Sequence, residues 1–210
     1  MKNRLHDKKA GIAILVPLIL ISIAEIIFRV FFVGEKVFPT SNLGEQLVVI
    51  GLALAILIMT VLGKDRLSYI CYGAFTSYFV LDQLFELPGK IITFINTVAE
   101  RGYFTFGTIS FLFTIISCVG IIAIGILLIE YMNDGTIYNH AFNIISIITV
   151  VLIITAIVAS IIVIVKSSSI IVVLAIFDNL YRLIMVFLFT FFAYDSAKKQ
   201  LSKVDFSSES

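Results

Sequence analysis

Long apolar segments alternate with short polar segments along the whole chain, and this alternation predicts six transmembrane helices. Each apolar segment is close to the roughly 20 residues that cross a bilayer as an α-helix. The polar segments between them carry Gly, Pro, Asn, Ser and charged residues, which is typical of turns. The predicted helices 1 to 6 cover residues 10–33, 46–62, 67–87, 103–132, 141–165 and 170–194. We therefore predict an all-α integral membrane protein with a single six-helix domain.

The segments outside these helices are assigned by their polarity. Residues 1–9 form a polar N-terminal segment, the transmembrane domain covers 10–195, and 196–210 form a polar tail. Pro88 and Gly89 are expected to end helix 3. The following segment, KIITFINTVAERG, is too short and polar to span a bilayer but is amphipathic. It predicts a short interfacial helix between helices 3 and 4.

The distribution of Lys and Arg predicts the orientation. An even number of spans puts both termini on one side, and the cytoplasmic side of a membrane protein carries the excess of positive residues. The terminal side would hold Lys2, Arg4, Lys8, Lys9, Lys64, Arg66, Lys198, Lys199 and Lys203. The opposite side would hold only Lys36, Lys90, Arg101 and Lys166. We predict a multi-pass protein of the cell membrane with both termini in the cytoplasm.

Composition supports a membrane environment and excludes several function classes. The chain is 60% hydrophobic, with a mean hydropathy of +1.10, so the lipid bilayer is the expected solvent and first partner. A net charge of +1 gives no indication of nucleic-acid binding. Cys71 and Cys118 both lie inside apolar segments, where they are expected to be small packing residues and neither disulfide nor metal ligands.

Three of the predicted helices each carry two charged residues spaced i, i+4, which places both on one helical face. The pairs are Glu25 with Arg29, Asp82 with Glu86, and Asp178 with Arg182. In the predicted orientation all three lie in the outer half of the membrane. Charges at that depth are costly and are kept where they face protein or water. We predict that helices 1, 3 and 6 surround a polar cavity open to the outside.

Further polar residues lie close in register to these charges, and the charges themselves have three possible roles. Tyr78, Tyr181 and Asn179 are expected to complete either a functional polar cavity or a structural network of ion pairs. Arg29 would pair with Asp82 or Glu86 across helices if the charges only hold the helices together. In the third role, most of these side chains reach the headgroup region.

Catalytic and cofactor signals are weak. The chain contains no G-x-S-x-G or Walker sequence, and no nucleophile–base pair is visible. His6 and His140 are the only histidines and both lie at the predicted inner edge, which argues against a haem held by two histidines. We predict a protein that is not an enzyme and has no cofactor or metal.

The leading functional hypothesis is transport or solute capture, with a small-molecule ligand. Six helices, cytoplasmic termini and an outward polar cavity are similar in architecture to the substrate-binding S components of energy-coupling-factor vitamin transporters. The sequence departs from that family in helix 1, where Ala10 and Ala13 do not give its A-x-x-x-A spacing.

Two alternatives come from different functional classes. One is a sensor, defence or immunity component that oligomerises or acts through a partner protein. Small residues such as Gly51 and Ala55 in helix 2, Gly120 and Gly125 in helix 4, and Ala156 and Ser160 in helix 5 suit helix packing or a homo-oligomer. The other is an oligomeric ion channel, which would need a continuous polar path.

Overall fold

The computed structural model describes residues 2–33, 40–101, 105–134, 140–167 and 170–207. Within these ranges the chain forms six α-helices and no strand, which confirms the all-α prediction. Helix α1 continues into a π-helical turn, Arg29–Val33. The helices are α1 Lys2–Phe28, α2 Thr40–Val61, α3 Asp65–Arg101, α4 Phe106–Asp134, α5 His140–Ser167 and α6 Ile170–Ser207.

Four of these helices contain apolar stretches long enough to cross a bilayer. The stretches are Gly11–Phe31, Phe106–Glu130, Ala141–Lys166 and Val172–Ala193. The apolar part of α2 is shorter, Leu47–Val61, and α3 carries more polar residues than the other helices. The protein is therefore a helical membrane protein by length and composition.

Helix α3 differs from its prediction because it does not end at Pro88. Pro88 lies inside a continuous helix that runs to Arg101, so the predicted separate segment after Gly89 is wrong. A proline removes one backbone hydrogen bond, which a long helix tolerates when the turns on both sides are well formed. The Thr93 hydroxyl donates to the carbonyl oxygen of Gly89 at 2.9 Å, within the helical turn that follows the proline.

The six helices pack in chain order as a closed ring. Each helix contacts the next, α6 closes the ring against α1, and α4 also contacts α6. The ring contacts agree with an up-and-down bundle. Gly11 at the start of α1 lies near Tyr72 and Phe191, whereas Phe28 packs on Phe177 at 5.7 Å. Helices α1 and α3 therefore run in one direction and α6 in the other.

These contacts define two ends of the bundle. We call the end where α1 and α3 finish and α6 begins the charged end. Towards the opposite end, aromatic rings join α3 to α6. Tyr72 stacks on Phe192 at 4.4 Å, and Phe79 contacts Phe189 at 6.0 Å. All four rings are buried and form part of the apolar core of the bundle.

Small residues allow α4 to approach its neighbours closely, as the sequence predicts. A Cβ at Gly120 would overlap the Thr149 hydroxyl of α5, and one at Gly125 would overlap Val80 Cγ2 of α3. Gly51 of α2 behaves differently, because nothing lies within 4 Å of its Cβ position. The small residues of α4 are thus used within the chain, and Gly51 faces outward.

We predict that Gly125→Ala lowers the melting temperature of the purified protein. The new methyl group would overlap Val80, whose side chain is stiff in a helix, and such overpacking costs about 1–3 kcal/mol. Thermal unfolding in detergent measures the effect. Gly51→Ala is the matched control and should be neutral or slightly stabilising, because its site is open.

Val80→Ala tests the mechanism of this destabilisation. It removes the overlapping Cγ2 and leaves only Cβ, which would be 3.7 Å from the new methyl group. The double variant Gly125→Ala, Val80→Ala should therefore lose less stability than the sum of the two single variants. Simple additivity would show that the contact between these positions does not limit the packing of α3 on α4.

Candidate functional site

At the charged end, α1 contributes Glu25 and Arg29, which pair with each other. The Arg29 Nε donates to Glu25 Oε1 at 2.8 Å, and Arg29 Nη2 contacts the same oxygen. Glu25 is almost completely buried. Its carboxylate also interacts electrostatically with Asp178 and Arg182 of α6. The charges of α1 and α6 therefore belong to one group.

Helix α6 contributes Asp178 and Arg182. Arg182 Nη2 lies 2.8 Å from Asp178 Oδ2. Arg182 is completely buried and is among the largest fully buried side chains of the described residues. Its guanidinium also interacts electrostatically with Asp82 and Glu86 of α3. Arg182 is thus within electrostatic range of carboxylates on its own helix and on α3.

Helix α3 contributes Asp82 and Glu86, and the structure adds a cation to them. Glu86 pairs with Lys90, one helical turn further along α3. The Gln83 side-chain amide donates to Asp82 Oδ2 at 3.1 Å. In the sequence-based prediction, helix 3 ends at Pro88, and Lys90 therefore lies in a separate interfacial segment. The i, i+4 spacing of Lys90 from Glu86 is the signal that could have identified it.

We call this group the charge cluster. It consists of Glu25, Arg29, Asp82, Glu86, Lys90, Asp178 and Arg182. Four carboxylates and three cations give 3 − 4 = −1, a net charge of minus one. The three helices predicted to meet, α1, α3 and α6, all contribute to it. The ion pairs described within it each join two residues of the same helix.

In α1 and α6, exposure within the charge cluster decreases from the charged end towards the middle of the bundle, whereas in α3 Lys90 is 18% exposed and Glu86, one turn deeper, is 40% exposed. In α6 the side chain of Asp178 is 39% exposed, and that of Arg182, one turn deeper, is 0% exposed. In α1 the side chain of Arg29 is 20% exposed, and that of Glu25, one turn deeper, is 2% exposed. Arg182 is therefore enclosed by protein, whereas its partner Asp178 and the pair of Glu86 with Lys90 are partly exposed.

The three polar residues predicted to join these charges have different surroundings. Tyr181 is buried and lies near Asp82 and Tyr78. Asn179 is also buried, but it contacts α4, because Thr114 Oγ1 donates to its Oδ1 at 3.3 Å. Its side-chain amide donates to the carbonyl oxygen of Ala175 at 2.8 Å. Asn179 therefore connects α6 to α4, while Tyr181 and Tyr78 lie close to the charges.

Several buried polar atoms around the charge cluster have no hydrogen-bond partner among the described residues. They are the three guanidinium nitrogens of Arg182, the Tyr181 hydroxyl and Gln83 Oε1. The ion pair of Arg182 with Asp178 is short, but no guanidinium N–H is directed at the carboxylate. Buried polar groups in folded proteins almost always have a partner, which can be an ordered water or a ligand. Sequence reasoning misses Gln83 because a single amide carries no charge signal.

Among the described residues, no group of three or more His, Cys, Asp or Glu could hold a metal ion. Cys71 and Cys118 are both free thiols. No protein family matches this chain, and neither a curated protein nor a solved structure matches it.

We predict that Asp178→Ala destabilises the protein more than the double substitution Asp178→Leu, Arg182→Leu. The single variant leaves a buried guanidinium without its nearest counter-ion, whereas the double variant replaces both charges by apolar groups. Because Asp178 is partly exposed, we expect the single variant to lose about 3 kcal/mol, the lower part of the range for broken buried pairs. Thermal unfolding in detergent compares the variants.

Glu86→Gln is the matched control for this comparison. It breaks a more exposed i, i+4 pair in the same cluster, so its cost should be below about 1 kcal/mol. A loss as large as that of Asp178→Ala would show that burial of Arg182 is not what makes the α6 pair sensitive.

Proposed function

We propose that the protein is a non-enzymatic, multi-pass subunit of the cell membrane that captures or transports a small polar solute. The observation that carries this proposal is the charge cluster, which combines partly exposed charges on α1, α3 and α6 with the fully buried Arg182. Charged groups inside a membrane domain are costly and typically mark a solute or ion site.

The proposal includes six spans with both termini in the cytoplasm. Helices α2 and α3 lie in the same closed ring as the four long apolar helices, so a bilayer around those four would surround them as well. The excess of Lys and Arg on the side of the termini favours a cytoplasmic location for that side. The charged end would then face outward, where a solute enters from outside the cell.

The packing favours solute capture over a continuous channel in one chain. Below the charge cluster, the buried rings of Phe79, Phe189, Tyr72 and Phe192 fill the space between α3 and α6. An ion path through a single bundle would have to cross this aromatic layer. A site that is open at one end and closed at the other suits binding, with release to depend on a partner or a conformational change.

A partner-dependent sensor, defence or immunity subunit is the second candidate. Helices α3 and α6 have 37 and 38 residues. At 1.5 Å per residue each is about 55 Å long, well beyond the roughly 30 Å of the hydrocarbon core. The segment of α3 after Pro88 exposes Ile92 and Ile95. Such projecting helices are suited to contact another protein.

We predict that native mass spectrometry of the protein purified in mild detergent shows a single chain with a bound small molecule. The double variant Asp178→Leu, Arg182→Leu should lose this molecule, because it removes the buried guanidinium and the carboxylate paired with it. Ser160→Ala is the matched control, since Ser160 pairs with Ser110 between α4 and α5, outside the charge cluster. The control should retain the molecule.

Two different results would change the proposal. A homo-oligomer or a co-purified soluble protein, with no small molecule on any chain, would contradict solute capture and favour the partner-dependent subunit. Retention of the small molecule by the double leucine variant would place its site outside the charge cluster.

A further inference from the structure

Three buried polar side chains at the charge cluster point to the chemistry of a ligand. Arg182, Tyr181 and Gln83 are each more than nine-tenths buried. The guanidinium nitrogens, the phenol hydroxyl and the amide Oε1 have no hydrogen-bond partner among the described residues. The Gln83 amide donates a hydrogen bond to Asp82, and the Arg182 guanidinium is attracted to the same carboxylate. The Tyr181 ring packs against Phe79, about one turn before Asp82 in α3.

The donors among these groups are suited to an oxyanion. A guanidinium presents N–H groups as a planar fork that matches the two oxygens of a carboxylate. Asp178 neutralises part of the Arg182 charge, but it does not accept a hydrogen bond from the fork. A ligand carboxylate would supply the missing acceptor, and the Tyr181 hydroxyl would donate a further hydrogen bond.

The surrounding charge excludes a simple anion as the ligand. Arg182 interacts electrostatically with the carboxylates of Asp178, Glu86 and Asp82. The charge cluster as a whole has one carboxylate more than it has cations. A ligand with only negative charge would be repelled by these carboxylates. A ligand with only positive charge would leave the guanidinium fork without an acceptor. A ligand that carries one negative and one positive group would avoid this repulsion and would also supply an acceptor to the guanidinium.

We propose that the charge cluster binds a zwitterionic solute of the amino-acid type, whose carboxylate pairs with Arg182 and Tyr181. Its ammonium group binds the carboxylates of Asp82 and Asp178 and donates to Gln83 Oε1. This inference rests on the proposed solute-capture function and assigns the class of solute. The ethanolamine headgroup of a phospholipid has the same combination of an oxyanion and an ammonium, so the experiment must separate the two sources.

The first experiment measures ligand-induced thermal stabilisation of the purified chain. The common amino acids are added singly, and the best binder is compared with its analogue without the amino group and its analogue without the carboxylate. A short-chain phosphatidylethanolamine is tested in parallel. We expect stabilisation by an amino acid and at least tenfold weaker binding of both singly charged analogues, because each leaves one set of buried polar groups unpaired.

Tyr181→Phe provides a variant that should fold well. It removes a hydroxyl that has no partner in the described protein, so the ligand-free protein should be as stable as the wild type or more stable. Its affinity for the amino acid should fall about fivefold, which corresponds to one lost hydrogen bond. Tyr72→Phe is the matched control near the opposite end of the bundle and should leave the affinity unchanged.

The outcomes distinguish this inference from the proposed function. Equal binding of an amine without a carboxylate would overturn the zwitterion assignment and leave solute capture in place. Stabilisation by phosphatidylethanolamine alone would overturn the assignment to a free solute. If no tested compound stabilises the protein and mass spectrometry finds no small molecule, the proposed function itself fails. Unchanged affinity in Tyr181→Phe would remove Tyr181 from the site.

Discussion

The fold of this protein depends on how it accommodates the fully buried guanidinium of Arg182. A charge in the apolar interior of a membrane domain is costly unless carboxylates lie close by. Asp178 is one helical turn away, but further carboxylates near Arg182 come from α3. The packing of the helices therefore has an electrostatic role, because it brings carboxylates of α3 towards Arg182 of α6. A sequence pattern within one helix cannot provide such carboxylates from another helix.

The two halves of the bundle differ in how their interiors are packed and in how polar they are. Towards one end, aromatic rings of α3 and α6 fill the interior. At the charged end the same two helices carry ionisable groups. Helix α4 supports both halves, because Gly120 and Gly125 let it approach α5 and α3 closely. A close-packed scaffold of this kind keeps the polar side chains in fixed positions, which a binding site requires.

The sequence predicts what is local in this structure and misses what depends on the register between helices. Hydropathy locates the helices, and i, i+4 spacing identifies the ion pairs of Glu25 with Arg29 and of Asp178 with Arg182, because both properties arise within one helix. Pro88 is misleading because a proline does not end a helix when the turns on both sides of it are well formed, as they are in α3. That error removes Lys90 from the charged group.

The side chains around the charges are harder to predict for a geometric reason. Residues two positions apart on a helix are rotated by about 200°, so Asn179 and Tyr181 cannot both face the same partner. Asn179 contacts α4, and Tyr181 faces α3, where its ring contacts Phe79.

The charge cluster has more carboxylates than cations, and yet the N–H groups of Arg182 have no hydrogen-bond acceptor among the described residues. The charge count has an excess of carboxylates, so Arg182 would be expected to have acceptors in abundance. Glu25 and Glu86, however, are paired with Arg29 and Lys90 along their own helices. Electrostatic attraction acts over several ångströms, whereas a hydrogen bond needs an acceptor in line with its donor. The cluster therefore stabilises the charge of Arg182 without satisfying its N–H groups, and the proposed solute would supply the missing acceptors.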